Sequence, residues 1–388
     1  MQTFRCVCGN QVYFDNSCCL ACQRELGWCE ACSRMTALMP NGQADRTVMV
    51  DFCCGHADCA RSLRKCHNYA VENVCNRCYS LEPDGATNNS APKDVRGAAP
   101  QLCLACQMTK TIPDLTVLGN REKWARLEAA KRRLLYTLDR LGLPYADVEP
   151  NLTFDFKADV ERPSNEWRNA GTAEIVYTGH AAGNITINIR EADDAVRESL
   201  RCQFHEAQRT LIGHFHHEMG HYYWERLVQN RREDEFRKLF GDHNSSTYAE
   251  SMSAYYQYGP RPGWFQSHIS AYAAAHPWED FAETFALYLD MAAVLDTATQ
   301  LFMSIDADFR GPSVAPLVER YQEVGVLVNE FNRTVGLFDL VPEVVVRPVV
   351  AKLDFIHALV IDAARSGPWQ PSPEPSVVRK LDQTQQDT

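Results

Sequence analysis

Residues 217–221 combine the residue types and the spacing of a metal-dependent hydrolase, because they read His-Glu-Met-Gly-His. On a helix, positions i and i+4 share a face, so His217 and His221 can bind one metal ion. Glu218 can then face the attacking water and take its proton. No proline interrupts residues 211–224, which continue the helical pattern. The motif predicts a zinc hydrolase, and the alternative is a histidine-rich helix packed in the core.

A zinc hydrolase needs a third protein ligand, and the acidic residues after Pro277 offer one. Pro277 is well suited to the first turn of a helix, which places Glu279 and Glu283 one turn apart on the same face. We expect Glu279 to bind the zinc and Glu283 to hold the N–H of a ligating histidine. The reverse assignment stays open, as does a purely structural role at the helix N-terminus.

Hydrolysis also needs a donor for the oxyanion of the transition state. Tyr272 lies seven residues before the expected glutamate ligand and is our candidate. Its rivals are His276, Tyr222, Tyr223 and Tyr248. Tyrosine is common in this chain, so core packing is the competing interpretation for each one.

Cysteine is concentrated at the N-terminus, where 15 of the 16 cysteines lie between residues 6 and 106. Pairs at such short spacings are typical of structural zinc sites. The roles of Cys18, Cys53, His56 and Cys66 stay open. A segment of this size is too small to fold around its own hydrophobic core, so the bound metal would stabilise its fold. We expect up to three sites, formed by Cys6, Cys8, Cys19 and Cys22; by Cys29, Cys32, Cys54 and Cys59; and by Cys75, Cys78, Cys103 and Cys106.

Charge and hydropathy limit the partners. The net charge of -11 argues against nucleic acid, and residues 1–110 hold 11 Lys and Arg against 10 Asp and Glu. No run of about 18 apolar residues predicts a membrane span, and no apolar stretch before Cys6 indicates a signal peptide. We therefore expect a cytoplasmic protein whose thiols are reduced and bind metal.

Three zones predict an α+β fold with two domains. Residues 1–110 form a small cysteine-rich zinc-ribbon region, residues 111–365 form a mostly helical domain with a small sheet, and residues 366–388 form a disordered tail. Turn-forming residues predict a flexible insert at residues 83–100. Residues 153–156 predict a strand, and residues 174–178 with 184–189 predict a hairpin.

The first long helix of the second zone can begin at Asn120, as its cap, and end at Gly142. Lys131, Arg132 and Arg133 lie largely off its apolar stripe, and we interpret them as a solvated face.

The acidic pair and the motif together resemble those of gluzincin metallopeptidases, in which HExxH is followed by a helix with a glutamate and, four residues later, an acid. With Tyr272 upstream, residues 279–283 resemble the catalytic domain of anthrax lethal factor. This resemblance implies that Glu279 is the zinc ligand, that Glu283 supports a ligand and that Tyr272 is the catalytic tyrosine.

The chain resembles more closely a bacterial family of zinc-binding metallopeptidases with an N-terminal zinc ribbon. This resemblance covers nearly the whole chain except the tail, and it implies a zincin-like peptidase domain. The cysteines at 29, 32, 53, 54, 59 and 78 exceed the family's ribbon, so the number and pairing of structural zinc ions stay open. The segments that carry the resemblance are residues 4–10, 112–114, 128–134, 209–214, 220–224 and 276–284.

We therefore expect a zinc metallopeptidase with one catalytic zinc, one to three structural zinc ions and a peptide or protein substrate. A non-catalytic zinc scaffold whose ribbons bind a partner protein is the second hypothesis. The intact motif argues against it, because structural sites usually close all four positions with Cys or His. A zinc-ribbon protein that binds nucleic acid is the third. The sequence does not separate endopeptidase from exopeptidase, nor does it indicate the oligomeric state.

Overall fold

The structure, a computed structural model, describes most of the chain. It leaves out the residues of the predicted insert at 83–100 and of the predicted tail beyond residue 366, so both predictions lie outside the described residues. No helix of the described part is long and apolar enough to cross a membrane. The described residues are 1–41, 51–81, 101–146, 151–159, 175–203, 209–301, 305 and 307–366.

The cysteine-rich region is built from short strands. A two-stranded hairpin precedes a closed five-stranded barrel, in which the first and last strands pair in parallel and all other neighbours are antiparallel. The elements are β1 (Phe4–Arg5), β2 (Gln11–Val12), β3 (Leu26–Cys29), β4 (Arg34–Pro40), β5 (Phe52–Cys54), β6 (Ser62–Lys65), α1 (His67–Ala70), β7 (Arg77–Ser80) and α2 (Leu104–Gln107).

Three groups of four cysteines hold these short elements together, and the Sγ atoms within each group lie within 4.8 Å of one another. Separations of 3.6 to 3.9 Å match the edge of about 3.8 Å expected for a tetrahedron of thiolates around zinc. A disulfide would need about 2.05 Å. All three groups therefore fit a structural zinc: Cys6, Cys8, Cys19 and Cys22; Cys29, Cys32, Cys54 and Cys59; and Cys66, Cys75, Cys103 and Cys106.

Cys66 occupies the position in the third group that we expected Cys78 to fill. Cys78 lies on β7, and its Sγ is directed at β3, where a Cβ added to Gly27 would lie 2.7 Å from it. Cys66 instead precedes α1, and its Sγ accepts the backbone N–H of Cys103 at 3.3 Å. The assignment of Cys78 is therefore corrected, because its place in a barrel strand turns it away from the group.

The second part of the chain is mostly helical, with one small sheet. A hairpin occurs, and its second strand agrees with the prediction, but its first strand lies at Gly179–Ala181 and not at residues 174–178, of which residue 174 lies outside the described residues. The reason is that the chain reverses in a tight turn at Ala182 and Gly183, both of which have positive φ. The elements are β8 (Thr109–Thr111), α3 (Asn120–Leu141), β9 (Thr153–Lys157), β10 (Gly179–Ala181), β11 (Asn184–Asn188), α4 (Asp194–Gln203), α5 (Leu211–Tyr223), α6 (Glu233–Phe240), α7 (Tyr248–Tyr258), α8 (Pro277–Gln300), α9 (Ala315–Thr334) and α10 (Arg347–Ser366).

The small sheet has the order β10-β11-β9-β8, so β10 is an edge strand. β10 pairs with β11 in antiparallel fashion, while β11, β9 and β8 run parallel. β10 and α5 pack against each other, so a sheet edge with which no other described strand pairs lies beside the helix of the His-Glu-Met-Gly-His motif.

Helix α3 differs from prediction in two respects. Its cap is Gly119, whose φ of 86° suits glycine, while Asn120 begins the helix and donates from its side chain to the carbonyl of Asp114. Lys131 and Arg132 are buried, and not solvated as predicted. Lys131 lies within the apolar stripe, one turn from both Leu127 and Leu134, and it pairs with the equally buried Glu128 at 2.8 Å. Arg132 lies on a side that the cysteine-rich region covers, where it donates to the carbonyl of Val74.

Helices α5 and α8 approach closely at one glycine. A Cβ added to Gly220 would lie 2.5 Å from the Cα of Ala282 and 2.9 Å from its carbonyl oxygen. Real side chains do not tolerate such distances to backbone atoms, so only glycine allows this contact. The two helices that carry the candidate ligands are therefore held at a distance that Gly220 sets.

Gly220→Ala should destabilise the helical domain by about 3 kcal/mol, the upper end of the usual cost of overpacking, because backbone must move. Thermal and denaturant unfolding of the purified protein measure this effect. Gly213→Ala on the same helix is the comparison, since its Cβ would lie 2.9 Å from the Thr210 hydroxyl that caps the helix and should cost about 1 kcal/mol, as a lost cap does. Equal unfolding midpoints for wild type and Gly220→Ala would contradict the close packing.

Cys66→Ala should reduce the structural zinc from three ions to two per chain, whereas Cys78→Ala should retain all three. The physical reason is that only Cys66 contributes its Sγ to a group of four. Metal analysis of the two purified proteins compares them directly. Loss of zinc from Cys78→Ala with full zinc in Cys66→Ala would restore the original assignment.

Candidate active site

Three ligand atoms of the second part converge on one point. The Nε2 atoms of His217 and His221 lie 3.2 Å apart, and Oε2 of Glu279 lies 3.1 Å and 3.6 Å from them. Zinc bonds of about 2.0–2.1 Å in tetrahedral geometry require ligand separations of about 3.3 Å. This Oε2 is buried and lacks a hydrogen-bond donor among the described residues. The donor set therefore fits a zinc ion.

Local sequence explains how the ligands reach this point. His217 and His221 lie one turn apart on α5, and Glu279 lies in the first turn of α8. Pro277 begins α8, and Nδ1 of His276 accepts the backbone N–H of Trp278, which caps the helix. The fixed start of α8 and the close contact at Gly220 bring the glutamate opposite the two histidines.

Three side chains orient the ligands. Nδ1 of His217 lies 2.7 Å from Oε1 of Glu283, and the other carboxylate oxygen accepts the hydroxyl of Ser270 at 2.7 Å. Nδ1 therefore carries the proton, and Nε2 is free to bind metal. The hydroxyl of Tyr248 donates to Oε1 of Glu279 at 2.7 Å, which leaves Oε2 for the metal.

Sequence reasoning missed Ser270 altogether and named Tyr248 only as a rival oxyanion donor. Neither residue belongs to the motif or to the helix that carries the acids. Both contacts come from segments whose approach is determined by tertiary packing, so no spacing in the sequence could have indicated them.

The electrostatics of the site favour a bound cation. Burial raises the pKa of Glu279, but the close contacts with His217 and His221 outweigh it and hold that pKa well below its usual value. Burial likewise raises the pKa of Glu283, but the contacts with His217 and Ser270 lower it by more, so this pKa also lies below its usual value. Two ionised carboxylates next to the imidazole of His217 provide negative charge that a divalent ion would neutralise.

Glu218 lies beside this group and is not part of it. Its carboxylate is buried, burial raises its pKa, and its Oε2 has no hydrogen-bond partner among the described residues. It lines the same cleft as the three ligands. An unpaired carboxylate at such a place can accept a proton from a water or donate one to a bound molecule.

A cleft of about 340 Å³ opens over the three ligands. One wall comes from Gly179 and His180 of β10, so this edge strand of the described sheet forms part of the cleft. The lining also includes Trp224 and Trp278. A cleft between a sheet edge and a helix can accommodate an extended chain segment.

Tyr272 lines the cleft, with its ring centroid 5.8 Å from that of His217. Of its rivals, Tyr222 and Tyr223 are fully buried, and His276 caps α8. Tyr248 also lines the cleft but is hydrogen-bonded to a ligand. Tyr272 therefore lies where an oxyanion donor could act, whereas most of the alternative residues are buried or make structural hydrogen bonds.

Two further histidines of α5 lie outside the site. His214 has its Nδ1 3.4 Å from Glu191, and His216 has its Nδ1 2.8 Å from Asp290. Neither joins the group of converging atoms. Both therefore have structural partners.

Comparison with known proteins identifies both parts of the chain. Residues 120–359 match the family described as "Putative zinc-binding metallo-peptidase", and residues 3–117 match a zinc-ribbon domain family. No solved structure matches the chain.

The chain is also similar over nearly its full length to uncharacterized proteins of mycobacteria. One from Mycobacterium bovis and one from Mycobacterium tuberculosis are each 33% identical over 375 residues, which cover 94% of this chain and 96% of the relative. The family match spans the converging ligands and most of the helical part. The chain therefore belongs to the family described as "Putative zinc-binding metallo-peptidase" and carries an N-terminal zinc-ribbon domain.

Proposed function

We propose that this protein hydrolyses peptide bonds with one catalytic zinc ion held by His217, His221 and Glu279. The observation that carries the proposal is the unpaired carboxylate of Glu218, buried in the cleft beside those three ligands. A site for structural metal has no use for such a group. A hydrolase needs it as the general base.

The number of protein ligands supports catalysis over a structural role. The three cysteine groups each supply four ligands, which closes a tetrahedral site, whereas the His217 group supplies three and faces a cleft. When bound there, zinc polarises the scissile carbonyl and lowers the pKa of the attacking water. The same chain thus contains both kinds of donor set.

Glu218 has the principal chemical role among the protein's own residues. Its carboxylate accepts the proton of the attacking water and afterwards delivers that proton to the leaving amine. Tyr272 donates its hydroxyl to the developing oxyanion. Glu283 and Ser270 keep the imidazole of His217 in the tautomer that binds metal, so they act through the ligand.

The edge strand β10 supports a peptide as the substrate. An extended segment that pairs with this edge would pass through the cleft above the three ligands, because Gly179 and His180 line it. The pairing uses main-chain hydrogen bonds, which every peptide offers. Side-chain preference must then come from the other walls of the cleft.

The three cysteine groups support a reducing compartment, which we propose to be the cytoplasm. Thiolates bind zinc only when they are reduced, and all the cysteines that the structure describes are free. We assign the zinc-ribbon region a structural role. We propose no nucleic-acid or membrane partner.

Glu218→Gln should lower peptide hydrolysis by about a thousandfold, since general base catalysis commonly contributes about 10²–10⁴ in rate, and should leave the zinc content unchanged. Mass spectrometry of newly formed termini in a peptide pool measures turnover, and elemental analysis measures zinc. Glu319→Gln, an exposed change on α9, is the matched control. If the Glu218→Gln protein cleaves as fast as wild type, the proposed mechanism is wrong.

Glu279→Ala should remove the catalytic zinc and leave the three structural ions, because it deletes one of three ligands. Glu283→Ala, one turn further along α8, should keep the ion but bind it about 10–100-fold more weakly. Titration with a zinc chelator compares the two proteins with wild type. A Glu279→Ala protein with four zinc ions would exclude this residue as a ligand.

A further inference from the structure

The cleft contains one carboxylate that neither metal binding nor proton transfer uses. Glu225 lines it together with Glu218 and Glu279. No lysine or arginine of the described residues lines this cleft. Glu279 and Glu283 together offset the charge of one bound zinc ion, so the carboxylates of Glu218 and Glu225 remain in the cleft.

Glu225 is held at the junction of the metal-binding helix and the edge strand. It lies in the π-helical turn Trp224–Val228 that follows α5 directly, and its side chain is 36% exposed. Within the described residues its one ion-pair contact is with His180 of β10, with Nδ1 3.7 Å from Oε1. Burial raises the pKa of this carboxyl, and the nearby His221 lowers it in part. The carboxylate is thus reachable from the cleft and has a fixed position relative to the metal ligands.

His180 does not neutralise this carboxylate. Its Nε2 accepts the backbone N–H of Gly183 at 3.0 Å, so the proton of the neutral ring is on Nδ1, which faces Glu225. The imidazole therefore orients the carboxylate without cancelling its charge. Burial also lowers the pKa of this histidine to about 4, in agreement with a neutral ring.

Aromatic side chains complete this end of the cleft. Trp224 and Trp278 both line it, with ring centroids 5.3 Å apart, and the Nε1 atoms of both are buried without a hydrogen-bond partner among the described residues. Indole faces attract ammonium and guanidinium groups. Trp278 is partly exposed and lines the same cleft as Glu225, so the cleft offers a carboxylate and an aromatic ring to a bound cation.

We propose that Glu225 selects substrates in which a cationic group adjoins the scissile bond. This proposal rests on the proposed peptidase function and names its substrate class. The recognised cation is an ammonium or guanidinium group. A peptide can supply it from the side chain of lysine or arginine, or from its free α-amine. The first makes the enzyme an endopeptidase for basic sites, and the second an aminopeptidase.

The test uses the full-length, zinc-loaded protein and two synthetic peptide pools with randomised sequences. In one pool the N-terminus is acetylated and lysine is present, and in the other the N-terminus is free and lysine and arginine are absent. Mass spectrometry identifies the cleaved bonds. Wild type should cleave one pool with a strong positional preference for the cation, and the pool that is cleaved identifies its source.

Glu225→Gln keeps the shape of the side chain and removes its charge. The ratio of kcat/KM for a lysine peptide to that for its norleucine analogue, or for a free to an acetylated N-terminus, should fall by about tenfold or more. Glu225→Lys should shift the preference to acidic peptides. Glu319→Gln, which changes an exposed carboxylate outside the cleft, should keep the wild-type ratio.

A binding measurement separates this proposal from the proposed function. The Glu218→Gln protein, with zinc bound, should retain cationic peptides from the pools, and Glu218→Gln with Glu225→Gln should lose this preference. Turnover that depends on Glu218 but has no charge preference would overturn the role of Glu225 alone. Charge-selective binding without any turnover in wild type would uphold Glu225 and reject the peptidase.

Discussion

The close approach of α5 and α8 is the constraint on which the candidate site depends. Gly220 lies inside the His-Glu-Met-Gly-His motif, and Ala282 lies between Glu279 and Glu283. One backbone contact therefore sets the distance from the histidines to both acids. A glutamate side chain has a fixed reach, so wider helix separation would break the ligand distances of 3.1 Å and 3.6 Å. The glycine is as necessary for this geometry as the ligands themselves.

The cysteine-rich region contributes to the site indirectly, through α3. Tyr136 of α3 packs against Phe14 and Trp28 of that region, with centroids 5.3 Å and 6.1 Å away, and Arg132 donates to the carbonyl of Val74. Another side of α3 contacts α5, the helix that carries the histidines. Zinc bound by these cysteines would thus stiffen a support for the helix that carries the two candidate histidine ligands. This double coverage also explains why Arg132 is buried, although the single apolar stripe of α3 predicted a solvated face.

The features that could be predicted from the sequence are those determined by local spacing. A separation of four residues on a helix brings His217 and His221 together, and the proline at the start of α8 fixes the face on which Glu279 lies. The long helices follow from periodicity in the same way, whereas the first strand of the hairpin lies several residues after its predicted position. Barrel strands of three to seven residues are too short to reveal a closed barrel, so the sequence could not decide between Cys66 and Cys78. Contacts between distant segments, such as the one that Tyr248 makes, have no periodic signal.

The four candidate metal sites of the described residues differ in their surroundings. The difference distinguishes the three sites that would stabilise the fold from the one that we propose for catalysis. Each cysteine group has four thiolates, so it leaves no position for a substrate and can only stabilise the short strands around it. The fourth group has three ligands, a cleft and an unpaired carboxylate at Glu218. Leaving a buried carboxylate without a partner costs stability, commonly about 1–3 kcal/mol. Such a cost in the middle of a well-packed helix pair is best explained by chemistry that needs the free carboxylate.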